Sequence, residues 1–185
     1  MQHAFGYIQD GKVFLKGFLG GADRVIGEVK GDEASTLLYF ETRFTLLEEK
    51  VAHLKAAIAE NQNKGSFLMK LIHLKESLYT SDALGDFTLL IAQLEEQEAF
   101  LSEIIQGNRS KNLEIKQGLI QEALALQSST DWKDTTEIFK ELKLRWIKTG
   151  PVEKEVHKEM EAEFNQAVDF FFEQRQYFYD GLALQ

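Results

Sequence analysis

The sequence contains no cysteine, a single proline and no long apolar run. Because small secreted domains are usually held together by disulfides, the lack of cysteine favours an intracellular, cytoplasmic protein. No stretch approaches the ~18 consecutive apolar residues that a membrane span needs, and the N-terminus lacks the basic start and apolar run of a secretory signal. We therefore predict a protein that is neither exported by that route nor embedded in a membrane.

Basic residues are also scarce, with 21 Lys and Arg against 30 Asp and Glu and a net charge of −9. An acidic surface repels nucleic acid and anionic lipid on average, so either contact would need a local basic patch. The content of 44% apolar and 28% charged residues is typical of a folded chain rather than a disordered one. The composition therefore predicts a folded protein whose binding to nucleic acid, if it occurs, is weak.

The first 31 residues carry the signals of a small β-meander. Asp10-Gly11 stands between two short runs rich in aromatic and β-branched residues, which is a strong hairpin signal. Residues 24–29 form a third segment of strand length. Since three short strands enclose little core of their own, we expect the meander over residues 1–31 to dock on a helix.

An elongated helical region is predicted over residues 32–128. Asp32 is a suitable N-cap for its first helix. Gly65 is predicted to adopt the left-handed backbone conformation at the C-terminal end of that helix. Between them, apolar residues recur every three or four positions, as in a coiled-coil seam. The seam consists of Leu37, Phe40, Phe44, Leu47, Val51, Leu54 and Ile58. A shorter helix follows, and the short loop between the two predicts antiparallel neighbours.

The next helical pattern starts near Asp82 and contains Gly107. Two interpretations are open: one continuous helix over residues 82–128 that tolerates the glycine at ~1 kcal/mol, or two helices broken at Gly107. We favour the continuous helix. At ~1.5 Å per residue it would be ~65 Å long, which predicts an elongated molecule.

An aromatic-rich helical hairpin is predicted over residues 129–185. Asp131 can cap a helix that extends to Lys148. Its apolar face consists of Trp132, Phe139, Leu142 and Trp146. Gly150 is placed as a left-handed cap, and Pro151 as the start of the last helix. The predicted fold is therefore mainly α, with long antiparallel coiled-coil-like helices, a C-terminal helical hairpin and a small N-terminal β-meander.

Residue types that could support catalysis are present, but not at catalytic spacing. None of the four histidines stands in a His-Glu-x-x-His or Glu-x-x-His pattern. Glu49 with His53 and His157 with Glu161 are four residues apart, which suits surface ion pairs better than a metal site without a third ligand. The sequence contains no phosphate-binding glycine loop and no nucleophile elbow. We predict no catalytic residue, metal or cofactor, and leave open a site assembled from distant residues.

The clearest basic patch lies on the predicted helix 131–148 and just beyond it. Its members are Lys133, Lys140, Lys143, Arg145, Lys148 and Lys154. Helical spacing places Lys143 and Arg145 at the flanks of the core face and the other lysines of that helix away from it. These cations can meet phosphates or an acidic protein surface. The plainer interpretation is a solvated last turn, where cations favour the helix dipole. We take the six residues as the candidate partner-binding site.

The residues around the Gly-Pro corner form a pattern that extends into the last helix. It comprises Trp132, Leu142, Trp146, Gly150-Pro151-Val152, Lys154, Phe164, Ala167, Phe171, Arg175 and Phe178. In this order the residues resemble the bacterial family called domain of unknown function 349. The Asp10-Gly11 hairpin, Ile26-Gly27-Glu28 and residues 63–86 are also similar to single-copy members.

The resemblance implies a family but no activity. The family often has a lysine directly after the second Trp, where this chain has Ile147. It also often has Trp and Arg shortly before the Phe cluster, where this chain reads Met160-Glu-Ala-Glu. If relatives use these basic positions to contact nucleic acid, that contact is weakened here.

Three functions remain as hypotheses. The first is a non-enzymatic intracellular interaction or scaffold module with a protein partner, and a homodimer is left open. The second is a nucleic-acid- or ribosome-associated protein that uses the basic face of helix 131–148. The third is an enzyme with a dispersed site. The seam, the long helix and the absence of catalytic spacing favour the first.

Overall fold

A computed structural model describes residues 2–184 and has a mainly α fold, as predicted. Three strands, β1 (Gly6–Gln9), β2 (Lys12–Leu15) and β3 (Arg24–Glu28), precede the helices. The helices within the described residues are α1 (Glu33–Glu60), α2 (Leu68–Leu78), α3 (Phe87–Leu126), α4 (Trp132–Lys148) and α5 (Lys154–Ala183), with a 3-10 helix at Lys64–Phe67 before α2. Within these residues no helix is both long and apolar enough to span a bilayer.

The predicted β-meander is present as an antiparallel sheet in the order β1-β2-β3. Asp10 and Gly11 both have positive φ, 51° and 73°, as a two-residue hairpin turn requires. The sheet lies against α1, as expected, because Gly27 faces the Phe40 ring so closely that a Cβ there would overlap it. Glycine at this position lets the strand approach the helix.

Helix α1 begins at the predicted cap. The Ser35 backbone N–H donates to Asp32 Oδ1 over 2.7 Å, and the Ser35 hydroxyl donates to Oδ2 over 2.9 Å. These two bonds stabilise the carboxylate and hold the pKa of Asp32 below its usual value. Five of the seven predicted seam residues are buried and the other two, Leu47 and Leu54, are partly buried against the same core. Gly65 does not cap this helix, contrary to prediction, since it lies within the 3-10 helix Lys64–Phe67.

Helix α3 is continuous through Gly107, which confirms the favoured interpretation. Its start differs from the prediction. Asp86 accepts the Leu89 backbone N–H over 3.0 Å and caps the helix. Asp82, the predicted start, instead accepts a hydrogen bond from Arg24 Nη1 over 2.7 Å. From the sequence, either aspartate could cap the helix. In the structure Asp82 is paired with Arg24 of β3, and Asp86 is the cap.

The chain divides into two compact units, one up to Ile104 and one from Ile105 onward. The first unit contains the predicted segment 1–31 and the helices up to the first part of α3. The second unit contains the rest of α3 and the predicted segment 129–185, while the predicted segment 32–128 extends into both units. Each unit has its own apolar core.

Candidate interaction site

Helix α4 is fixed in the second unit by an aromatic core. Asp131 caps it by accepting the Asp134 backbone N–H, as predicted. Phe139 is fully buried and its ring stacks on Phe171 of α5 at 4.8 Å between centroids. Trp146 stacks on Phe164 at 4.3 Å with the rings 8° from parallel. These contacts fix which side of α4 is turned to solvent.

Lys116 of α3 also lies over the Trp146 indole. Its Nζ lies 4.7 Å from the ring centroid, and the residue is only 5% exposed. A cation over an indole face is favourable, more so when partly desolvated. Sequence reasoning missed this lysine, although it stands three residues after Leu113 and four before Ile120, on the apolar stripe of α3. A charged residue within this otherwise apolar stripe was the signal in the sequence that could have indicated a buried lysine.

The predicted basic residues do not form one patch. Arg145 Nη1 pairs with Glu122 Oε2 of α3 over 3.1 Å on one flank of α4. Lys143 Nζ lies 4.9 Å from the centroid of the Phe172 ring of α5 on the other flank. Lys154 is exposed at the first turn of α5, beyond the corner. Arg145 and Lys143 thus lie on opposite flanks of α4, and each is engaged with a different helix.

The four lysines of α4 share one side of the helix with two exposed apolar residues. We call this surface the α4 face; it consists of Lys133, Lys140, Lys143, Leu144, Ile147 and Lys148. At 3.6 residues per turn the six positions fall within about 140° of arc. Ile147 is 78% exposed and Leu144 is 56% exposed. Glu137 lies on the same arc, and its Oε1 is 3.2 Å from Lys140 Nζ. The face therefore combines cations with apolar side chains that are open to solvent.

The Gly-Pro corner is built differently from the prediction. Gly150 does not have a positive φ, so it is not the predicted left-handed cap. The described glycines with positive φ are Gly11, Gly20 and Gly31. Space is the constraint instead, because a Cβ on Gly150 would lie 2.8 Å from Asn112 Nδ2 of α3. That amide donates to the Pro151 carbonyl over 2.8 Å. Pro151 does not begin the last helix, which starts at Lys154.

We expect Gly150→Ala to lower the free energy of unfolding by ~1 kcal/mol, since the new methyl group must displace Asn112 from its hydrogen bond. Pro151→Ala should cost ~1 kcal/mol or less, through the entropy of the unfolded chain. Urea denaturation measures both changes.

The double variant Asn112→Ala, Gly150→Ala is the control for the steric cause. With Asn112 truncated, the glycine substitution should cost much less, which a double-mutant cycle detects. A cost that persists in the Asn112→Ala background would contradict the role of this contact.

In the part of the chain that the structure describes, two of the four histidines pair with a carboxylate, whereas the predicted Glu49–His53 pair is not formed. His157 Nε2 lies 3.7 Å from Glu161 Oε1, as the spacing indicated. His3 Nε2 lies 2.7 Å from Glu41 Oε1, a pair that the sequence did not suggest because the residues are far apart along the chain. Within residues 2–184 no group of three or more His, Asp or Glu side chains could hold a metal ion.

Comparison with known families bears on the part of the chain that contains α3, α4 and the corner. Residues 87–155 match the family model described as Domain of Unknown Function (DUF349). The resemblance to DUF349 is thus confirmed over these residues. The matched residues include Trp132, Trp146 and the Gly-Pro corner, whereas the β-meander and most of α5 lie outside them. No curated protein and no solved structure matches the chain.

The whole α4 face lies inside the DUF349 match, but the match assigns no activity to it. The predicted site residues Lys133, Lys140, Lys143, Arg145, Lys148 and Lys154 all fall within residues 87–155. What the face can do must therefore be argued from its own chemistry.

Proposed function

We propose that this chain is a non-enzymatic protein-interaction module whose α4 face binds an acidic surface of a protein partner. The observation that carries the proposal is Ile147, which is 78% exposed among lysines. The core of a protein interface is depleted of charge and contains apolar anchors, and a polar rim surrounds it. The α4 face has this composition.

Burial of the two exposed apolar side chains of the α4 face would contribute to the affinity for a partner. Full burial of an Ile or Leu side chain is worth ~1.5–3 kcal/mol. Leu144 and Ile147 are three positions apart on α4, so a single partner surface can cover both. The surrounding lysines would then favour a partner with complementary charge and speed its association.

A nucleic-acid- or ribosome-associated function is the second candidate, and the four lysines of the α4 face favour it. Such binding would rely on phosphate contacts. The aromatic rings of Trp146 and Phe139 face the core and are buried, so they offer no stacking surface for bases. With a net charge of −9, we would expect the affinity to fall steeply as salt rises.

A capture experiment with the full chain tests the proposal and separates the two candidates. We expect the wild-type chain to retain a protein partner after nuclease treatment. Ile147→Asp should reduce that capture by ~10-fold or more, because it places a charge at an apolar anchor of the interface. The triple reversal Lys133→Glu, Lys140→Glu, Lys148→Glu should reduce it similarly.

The matched control reverses three exposed lysines elsewhere, Lys12, Lys55 and Lys111, which changes the net charge by the same amount. This variant should retain the partner, and thermal denaturation should show that all variants are folded. Loss of the partner on nuclease treatment would favour the nucleic-acid candidate. Undiminished capture by folded Ile147→Asp would contradict the role of the α4 face.

A further inference from the structure

A groove lies between α1 and α2 in the first compact unit, apart from the α4 face. Its volume is about 850 Å³. The floor is apolar and consists of Leu47, Leu54, Phe67 and Leu74, all only partly buried against the core below. Leu46 stands at the edge of the groove and is exposed. The core of the unit therefore has an apolar strip that the described part of the chain leaves partly open to solvent.

The shape of the groove suits an elongated ligand. Its lining on α1 extends from Arg43 to Ala57, which corresponds to ~21 Å at 1.5 Å per residue. A helix of about 14 residues has the same length. Apolar side chains on one face of such a helix recur at intervals of three and four, which fits a narrow apolar floor.

The rim of the groove is basic, although the chain as a whole is acidic. Arg43, Lys50 and Lys70 line it, together with His53. Two carboxylates line it as well, Glu49 and Asp82. Asp82 is already paired with Arg24 over 2.7 Å. Arg43 Nε donates to the Asp82 carbonyl over 2.9 Å. The rim has one more cation than it has carboxylates, and Lys50 and Lys70 favour a ligand with acidic side chains.

From these observations we infer that the groove between α1 and α2 is a docking site for an acidic amphipathic helix of a partner protein. Leucine-like side chains of that helix lie on Leu47, Leu54 and Leu74, and its flanking Glu and Asp residues face Lys50 and Lys70. The groove and the α4 face belong to different compact units.

The probe is a fluorescent synthetic peptide of about 14 residues, with leucine at helical spacing of three and four and glutamate at most other positions. Fluorescence anisotropy with the full chain measures its affinity. A second peptide has the same composition with the leucines scrambled. We expect the scrambled peptide to bind ~10-fold more weakly or not at all, since only the ordered one presents an apolar face.

Two variants test the groove itself. The double reversal Lys50→Glu, Lys70→Glu should weaken binding of the ordered peptide by ~10-fold or more, because like charges then face each other. Leu46→Asp should weaken it as well. The matched control, Lys55→Glu with Lys111→Glu, makes the same charge change at exposed lysines that do not line the groove. It should change the affinity by less than ~2-fold, because charges outside the contact are screened by salt.

Equal affinity for the two peptides, or binding that is insensitive to Lys50→Glu, Lys70→Glu, would overturn the inference. Lys50 and Lys70 are exposed, so this variant decides the question even if Leu46→Asp does not fold. Sedimentation of the chain alone tests whether a second copy of the chain, rather than a partner helix, occupies the groove. Self-association that is abolished by the double reversal would assign the groove to a second copy and would also overturn the inference.

Discussion

Replacement of Trp146 by alanine is expected to lower the free energy of unfolding by ~3–5 kcal/mol. The buried indole contacts the parallel Phe164 ring at 4.3 Å and Lys116 Nζ at 4.7 Å from its centroid. Truncation removes both contacts and leaves a cavity under a lysine that is itself almost fully buried. Urea denaturation followed by far-UV circular dichroism measures the change.

Trp132→Ala is the matched control, since it removes the same side chain from a partly buried position at the start of α4. Its ring contacts Phe171 and Phe178 at the edge of the same core. We expect a smaller loss, because more of this indole is already in water and less surface is uncovered. Equal losses for the two tryptophans would contradict the central position of Trp146.

Phe87→Ala is expected to destabilise the first unit by ~3–5 kcal/mol. The Phe87 ring is buried at the first residue of α3, stacked on Phe18 at 5.1 Å and edge to face with Phe44 at 5.1 Å. Gly85 lies against the same Phe44 ring and has no room for a Cβ. The tight packing limits collapse of the site, so the cavity should persist. Hydrogen exchange of the amides in α1 and α2 reports the loss.

Leu89→Ala provides the comparison two residues along the same helix. Leu89 is exposed, so its truncation should change stability by no more than about 0.5 kcal/mol. If Leu89→Ala and Phe87→Ala were equally destabilising, the helix itself rather than the aromatic cluster would be the sensitive element.

The sequence predicted a structural feature correctly where the residues that determine it are close together along the chain. Asp10-Gly11 predicts a hairpin because its own backbone adopts positive φ. Asp32 and Asp131 predict helix starts because each carboxylate accepts a backbone N–H three residues ahead. The apolar period of α1 predicted its buried face, since helical geometry fixes which side chains share a side.

Prediction failed where the deciding partner is distant in sequence. Asp82 and Asp86 are equivalent as caps, and the choice depends on Arg24, which belongs to β3. Gly150 looked like a conformational glycine, whereas Asn112 of α3 is the residue that leaves no space for a Cβ. Helical spacing placed Lys143 and Arg145 at the flanks of the core face, but it could not show their partners Phe172 and Glu122, which belong to two other helices.

The sequence by itself thus determined which elements this protein has, apart from some helix ends, and the apolar faces of α1 and α4, because both follow from backbone geometry within a few residues. Only the tertiary structure decided which cations and apolar side chains stay in solvent. It placed Lys116 under an indole, left Ile147 exposed, and opened the groove between α1 and α2. Exposure depends on which helices pack against each face, and those contacts join residues that are far apart along the chain.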